Sequence, residues 1–318
     1  MTRPTVSVVI VTCNHEKYIR QCIEGVLAQC ADASMEVLVG DDCSGDGTSG
    51  IMAEFASAHP DVISHFRHDP RLGVWENLKS LLVRVRGEFV AMLDGDDYWL
   101  PGKLKAQLAY IAAHPECVAV YTNAITVTDD GERIGLFNNV GDRSIDLGFL
   151  LRRGNFLNSS SVLMRAELVQ GLLGIDGLFV DYQAHLLHAR KGLLAQIGQP
   201  LSVYRVRSSG SIVSNWNDVV RELYWQAIMS APRDRVSDSD FARAAADFMR
   251  RVVFRAISAK RLTLVSEWAP RVFQASPYGR VRTSLLVAEA VVRSVYVESI
   301  GWLLTAVGDR SAKILYRR

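Results

Sequence analysis

Three aspartates stand within four positions, Asp94-Gly95-Asp96-Asp97, directly after the apolar run 89–93. Carboxylates at the end of a buried strand are costly to ionise together unless a cation or hydrogen-bond donors hold them. An oxygen-only set suits a hard divalent ion such as Mn²⁺ or Mg²⁺, and a diphosphate would complete its shell. A solvated acidic turn is the bland alternative. A second acidic pair, Asp41-Asp42, follows the run 35–39 and precedes Ser44-Gly45-Asp46-Gly47-Thr48. These two carboxylates can accept hydrogen bonds from a base or ribose, whereas helix capping alone explains Asp46 and Thr48. Thr12-Cys13-Asn14-His15 closes the first apolar run, 6–11, and reads as a site wall or as a capped turn. Asp181 opens an apolar-periodic stretch and is either an N-cap or a functional acid. His185 and His188 lack a third ligand at a recognisable spacing and read as structural. Tyr204, Arg205 and Arg207 lead into Ser208-Ser209-Gly210-Ser211, where guanidinium groups and loop N–H donors would suit a phosphate.

The elements that carry these residues alternate. Strand-like runs at 6–11, 35–40 and 62–66 are separated by helical periodicity over 18–29 and 48–58, the order of βαβ units. A helix over 74–84, a strand at 88–93, a helix over 103–113 and a strand at 118–127 continue the theme. Near-continuous apolar strands imply a mostly parallel sheet covered on both faces, and in such a sheet ligands bind beyond the carboxyl ends of the strands. Asp130-Gly131 predicts a turn between strands, and 148–165 is less regular. From Glu222 the pattern is helical, with breaks expected at Pro232, Pro270 and Pro277. A boundary near Ser214 divides the chain into an α/β part, 1–214, and a helical extension, 215–318.

The 318 residues are 49% hydrophobic and 22% charged, a globular composition able to bury a core. Cysteines at 13, 22, 30, 43 and 117 include no C-x-x-C pair, which argues against a zinc ribbon or disulfide framework and fits a reducing cytoplasm. The amino end reads as a strand rather than a signal peptide. No run approaches the ~18 apolar residues of a membrane span. A net charge of +2 conceals an uneven distribution: from Val219 onward 17 Lys and Arg face 9 Asp and Glu. The stretches 241–261 and 281–307 mix apolar and basic residues, with Trp268, Tyr296 and Trp302 available for an interface. Packing on the catalytic domain, dimerisation and contact with an anionic membrane surface are all open to them. No nucleic-acid partner is expected.

In their order, these motifs resemble the family 2 glycosyltransferases over roughly the first 210 residues. VSVVIVTCN resembles the family's opening strand and nucleotide turn, and VLVGDDCSGDGT its Asp-Asp-x-Ser-x-Asp-x-Thr segment. FVAMLDGDDYWLPGKL resembles its D-x-D segment, and Gly73, Asn77 and Gly87 stand at further family positions. The resemblance implies an α/β fold of GT-A type, a Rossmann-like nucleotide-binding sandwich with a C-terminal helical extension. It implies that Thr12, Cys13, Asn14, Asp41, Asp42 and Asn77 line the nucleotide site. Asp94 and Gly95 would lie at the ribose and donor sugar, and Asp96 with Asp94 would hold Mn²⁺ or Mg²⁺. Asp181 would be the general base, while Tyr204, Arg205 and Arg207 would cover the diphosphate. The implied activity is inverting transfer of a hexose from a nucleotide sugar, a UDP-sugar first, to a glycan or polyprenyl-linked acceptor. This would serve cell-surface polysaccharide synthesis in the cytoplasm, at the membrane periphery. Cys13, Glu76, Val180 and Arg207 depart from common family residues. The Val180 and Arg207 departures encourage an alternative, a binding or assembly protein with weakened catalysis; Asp96 and Asp181 oppose it. A dehydrogenase would instead require G-x-G-x-x-G after the first strand.

Overall fold

The computed structural model describes residues 4–206, 217–306 and 314–316. Strands β1 (Val6–Thr12), β2 (Met35–Asp41) and β3 (Ile63–Arg67) alternate with helices α1 (Ile19–Leu27) and α2 (Thr48–Ala58). Helix α3 (Val74–Leu82) leads into β4 (Phe89–Asp94), which pairs with β1 on the side away from β2. All pairings in the β3-β2-β1-β4 block are parallel. Strand β1 is buried along almost its whole length, as expected of a strand covered on both faces.

Beyond β4 antiparallel strands join, while the longer pairings of the sheet stay parallel. The short β5 (Tyr98–Trp99), helix α4 (Lys103–Ala113) and the long β6 (Cys117–Val127) come next. Strands β7 (Arg133–Asn138) and β8 (Arg143–Ile145) precede helix α5 (Leu147–Arg153) and strand β9 (Leu163–Arg165). Strand β9 lies antiparallel between β4 and β6, so the chain direction changes there. Helices α6 (Val169–Leu173) and α7 (Asp181–Ala189) lead to β10 (Leu193–Arg205), which runs parallel to β6 and antiparallel to β5 and β8. The Asp130-Gly131 turn forms as expected, with Gly131 at φ 85°.

Among the described residues four helices follow: α8 (Asn217–Met229), α9 (Asp238–Ser258), α10 (Thr263–Ala275) and α11 (Arg280–Ala306); β11 (Ile314–Tyr316) adds an edge to β7. Ser237 caps α9 by accepting from the Asp240 N–H, and Asp238 and Asp240 favour that positive helix end. Pro232 and Pro277 fall between helices. Pro270 does not break the chain; it lies inside α10, whose Trp268 and Val272 are anchored in the core. The expected boundary at Ser214 and the residue Arg207 lie outside the described residues, as does the Trp302 side chain.

One apolar cluster joins Val9, Leu38 and Val90 of the sheet to Trp225, Phe248 and Trp268 of the helices. A second fills the opposite sheet face beneath α1, α2 and α4. Trp268 therefore belongs to the interior rather than to an interface, with its ring 4.9 Å from that of Phe248. The buried face of α9, from Phe241 through Phe248 to Val252, is likewise core. Tyr224 stacks on Tyr182 at 4.5 Å, and its hydroxyl accepts from the Asn155 N–H. Gly154 sits beside that hydroxyl at φ 71°, where a Cβ would lie 2.7 Å from Oη. A Trp225→Ala substitution is expected to cost about 3–5 kcal/mol in one cooperative urea transition of sheet and helices together. Separate loss of helical signal with the sheet intact would show an independent extension.

Candidate active site

The site forms where β1, β2 and β4 end side by side, with Thr12 opposite Asp41 and Val11 opposite Asp94. Two turns leaving these strands are tied together. Asn14 adopts φ 56°, a left-handed conformation that asparagine tolerates. Its N–H donates to Ser44 Oγ at 2.9 Å, and its Oδ1 accepts from the Gly45 N–H at 2.8 Å. Cys13 Sγ donates to the Asp42 carbonyl at 3.2 Å, and the His15 N–H to Thr48 Oγ1 at 2.8 Å. Thr12 Oγ1 and His15 Nδ1 are buried without a protein partner. They flank Gly95, where a Cβ would lie 2.7 Å from the hydroxyl and 2.8 Å from the imidazole.

Asp41 and Asp42 avoid mutual repulsion by turning to different donors. Asp41 is fully buried, accepts from the Ser44 N–H and hydroxyl and from the Ser49 hydroxyl, and has His65 Nε2 3.8 Å away. Burial alone would raise its carboxyl, but these groups hold it below the usual carboxylate range. Asp42 accepts from the Leu72 and Gly73 N–H groups at 2.6 and 3.0 Å and from Arg71 Nε at 3.2 Å. A base or ribose would use the lone pairs that these donors leave. Asn77, expected at the nucleotide, is instead buried behind the turn, its Nδ2 donating to the Gly40 carbonyl at 2.9 Å. Gly40 leaves room for that amide: a Cβ there would lie 2.0 Å from Asn77 Oδ1.

Asp94, Asp96 and Asp97 bring carboxylate oxygens within 4.8 Å of one another. Asp97 Oδ1 accepts from the Arg205 N–H at 2.8 Å, while Oδ2 is buried without a protein partner. That orphaned oxygen and the all-oxygen set fit a hard divalent cation, with Asp97 joining the expected Asp94 and Asp96. Asp94 opens to the cleft yet is deeply enclosed by protein. Burial, then Asp96 and Asp181, pushes its carboxyl up to about 8, against the Ser160 hydroxyl. Burial, then Asp96 and Asp94, raises Asp97 well above its ordinary value. The Asp94 N–H donates to Ser160 Oγ at 3.3 Å, and Trp99 Nε1 donates to the Ser160 carbonyl at 2.8 Å. The polar run 158–161 thus lies against the acidic cluster.

Asp181 is brought to the same cleft as the first residue of α7. Val180 occupies the N-cap position and Asp181 caps nothing, which removes that alternative. Its side chain opens to the cleft, yet the protein packed around it desolvates and raises its carboxyl, with a Ser159 hydrogen bond opposing. Behind it, Tyr121 Oη meets His185 Nδ1 at 2.9 Å and His188 Nδ1 at 3.5 Å. Burial and the neighbouring His188 push the His185 imidazole down to about 3, and burial pushes His188 down to about 4.

Arg205 is a brace rather than a free phosphate ligand. Its guanidinium donates to the carbonyls of Asp96 (3.1 Å), Thr128 (3.1 Å) and Asp129 (2.9 Å) and to Gln21 Oε1 (3.4 Å), and lies 4.5 Å from the centre of the Tyr18 ring. Nothing in the sequence distinguished these carbonyls, supplied by two separate turns, from a phosphate. Tyr204 packs edge-on against Phe137 at 5.1 Å.

This arrangement of strand ends and carboxylates accompanies a match of residues 7–170 to the family described as glycosyl transferase family 2. The chain belongs to that family. Rv1520 of Mycobacterium tuberculosis is 31% identical over 222 residues, 69% of this chain and 63% of its own length; this chain therefore spans less than two thirds of that relative. The amylovoran biosynthesis glycosyltransferase AmsE of Erwinia amylovora is 26% identical over 278 residues, 82% of this chain and 97% of that one. TarS 1–349 of S. aureus, solved with UDP-GlcNAc, superposes with a TM-score of 0.67 at 19% identity, covering 89% of this chain and 84% of that one. The fold is that of the GT-A glycosyltransferases.

Two outcomes follow from the site's packing. Gly95→Ala is expected to leave the chain folded but to abolish thermal stabilisation by a nucleoside diphosphate with Mn²⁺, since the new methyl displaces Thr12 and His15. The buried histidines bind protons in the unfolded chain below about 6.5, whereas the folded values are near 3 and 4. Their contribution is present above pH 6.5 and is lost as pH falls toward 3. The melting temperature should therefore decline across that window, and less steeply in a His185→Gln, His188→Gln variant.

Proposed function

We propose that the chain transfers a hexose from a nucleoside diphosphate sugar, a UDP-sugar first, to a hydroxyl of a glycan or lipid-linked acceptor, inverting the anomeric centre. The observation that carries this reading is the meeting of Asp94, Asp96 and Asp97 with Asp181 in one cleft at the strand ends, close enough for Asp181 to raise Asp94. The Thr12-Cys13-Asn14 turn, with Asp41 and Asp42 beside it, shapes the nucleoside subsite, and Asp94 and Gly95 border the ribose and donor sugar. The acceptor hydroxyl oxygen bonds to the anomeric carbon as the bond from that carbon to the diphosphate oxygen breaks. Asp181 receives the hydroxyl proton, and a carboxylate whose pKa is raised is the stronger base for that step. Bound at Asp94, Asp96 and Asp97, Mn²⁺ or Mg²⁺ would neutralise charge on the departing nucleoside diphosphate. Arg205 keeps the acidic turn in register through its bonds to Asp96 and Asp97.

The relationship to AmsE supports a role in cell-surface polysaccharide synthesis. No helix among the described residues is long and apolar enough to cross a membrane, and we place the chain on the cytoplasmic side, at the membrane periphery.

A thermal-shift panel of UDP, GDP, dTDP and CMP, with and without Mn²⁺, tests the donor site. One nucleotide should stabilise wild type by roughly 2.7 kcal/mol at 100 times its dissociation constant, and Asp96→Ala should lose the metal-dependent part. Asp181→Asn should retain that shift while turnover falls about 10²- to 10⁴-fold. Full turnover by Asp181→Asn would remove Asp181 as the base. No shift with any nucleotide would favour the weakened-catalysis alternative.

A further inference from the structure

Helices α5, α9 and α11 enclose a pocket of about 220 Å³ lined by Arg152, Arg153, Arg243 and Arg293, with Glu289 and Leu286 among its other walls. Two of the four guanidinium groups are compensated. Arg152 pairs with Asp240 at 2.7 Å and Arg243 with Glu289 at 3.0 Å. Arg153 and Arg293 have no carboxylate within salt-bridge distance among the described residues. Arg143 and Arg152 also crowd the region, their guanidinium carbons 4.2 and 5.1 Å from the Phe149 ring centre. Burial, then the charges of Arg293, Arg152 and Arg143, lowers Arg153, with Asp247 opposing. Such a cluster wants an anion, and planar guanidinium forks match the oxygens of a phosphate.

The surface beside the pocket is apolar. On α11, Val281, Leu285, Ala288, Val292 and Val295 recur at alternating spacings of four and three residues and are all exposed. Val281 is 77% and Val292 67% exposed, and Tyr296, 66% exposed, adjoins them. At about 100° per residue this stripe lies roughly a third of a turn from the pocket-lining residues 286, 289, 290 and 293. A helix with an apolar face beside a basic pocket places acyl chains and phosphates at their respective depths in a lipid interface.

We propose that this pocket binds the phosphate group of a lipid, with the α11 stripe seated in the acyl boundary beside it. Charge and apolarity together select that occupant: a soluble phosphate would use the arginines but not the stripe, whereas a lipid brings a phosphate to Arg153 and Arg293 and acyl chains to the stripe beside them. The location also bears on catalysis. Arg153 precedes Asn158 by five residues, so the pocket and the segment against Asp94 lie within about 17 Å of extended chain. A lipid phosphate held there would keep its attached sugar within that reach of the cleft. This bearing on the acceptor rests on the proposed function, whereas lipid binding itself does not.

The test is co-sedimentation of the full chain with phosphatidylcholine vesicles, alone or containing phosphatidylglycerol or a polyprenyl phosphate. Wild type, Arg153→Gln/Arg293→Gln and Leu285→Ser/Val292→Ser are compared, with circular dichroism and the UDP–Mn²⁺ thermal shift recorded for each. Wild type should bind the vesicles containing phosphatidylglycerol or polyprenyl phosphate, whose phosphates carry net negative charge, and not those of zwitterionic phosphatidylcholine alone. The arginine variant should bind them about fivefold more weakly per charge removed, and the stripe variant should also weaken, both with unchanged fold and nucleotide shift. Absence of vesicle binding by wild type, or equal binding by the arginine variant, overturns the proposal. So does arginine-dependent stabilisation by inorganic pyrophosphate without vesicle binding, which would mark a soluble ligand. A dimer in sedimentation velocity that Leu285→Ser/Val292→Ser dissociates, with vesicle binding unchanged, assigns the stripe to a second copy and overturns it too. Failure of the nucleotide shift alone would instead count against the donor site.

Discussion

Adjacent parallel strands deliver their last residues to one edge of the sheet, and in this chain those residues are acids. Asp41 and Asp94 end β2 and β4 on either side of β1, with Asp42, Asp96 and Asp97 in the turns beyond and Asp181 arriving from α7. Charges this close repel, and burial adds to the penalty for ionising them. The surrounding structure answers each differently. Ser44 and Ser49 satisfy Asp41, the backbone of 72–73 satisfies Asp42, and the Arg205 N–H satisfies one oxygen of Asp97. Asp94, Asp97 and Asp181 retain raised carboxyl groups. The unequal distribution separates the acids that shape the turns from those left to meet a cation or a proton.

Much of this was readable because the signals are local. Helices α2 and α4 occupy the spans their periodicity predicts, and the D-x-D turn follows β4 directly. Residues whose role depends on distant chain were not readable in the same way. Asn77 looked like a nucleotide contact until folding placed Gly40 over its amide. Arg205 looked like a phosphate ligand until the carbonyls of Asp96, Thr128 and Asp129 converged on it. Strand β9 has three residues and no periodicity of its own; pairing with β4 and β6 makes it a strand. Trp268 and Tyr296 both resembled interface aromatics, yet only packing against Trp225 and Phe248 separates the buried ring from the exposed one.

The helical extension is likewise divided by packing. Helix α9 sends Phe241, Phe248 and Val252 inward, whereas α11 leaves much of its apolar surface outside. A basic composition measured over the whole extension conceals that difference, because many of its arginines are paired with carboxylates.

The contact at Gly154 has a consequence for how such a chain can diversify. A glycine with no room for a methyl faces the Tyr224 hydroxyl, which itself accepts from the next residue's amide. The two partners lie about 70 positions apart in sequence yet form one joint. Recombination that exchanged the extension while keeping the sheet would bring in a helix shaped for a different joint. Drift at either partner is constrained by the other, so the two regions are expected to be inherited as a pair even where their surfaces diverge.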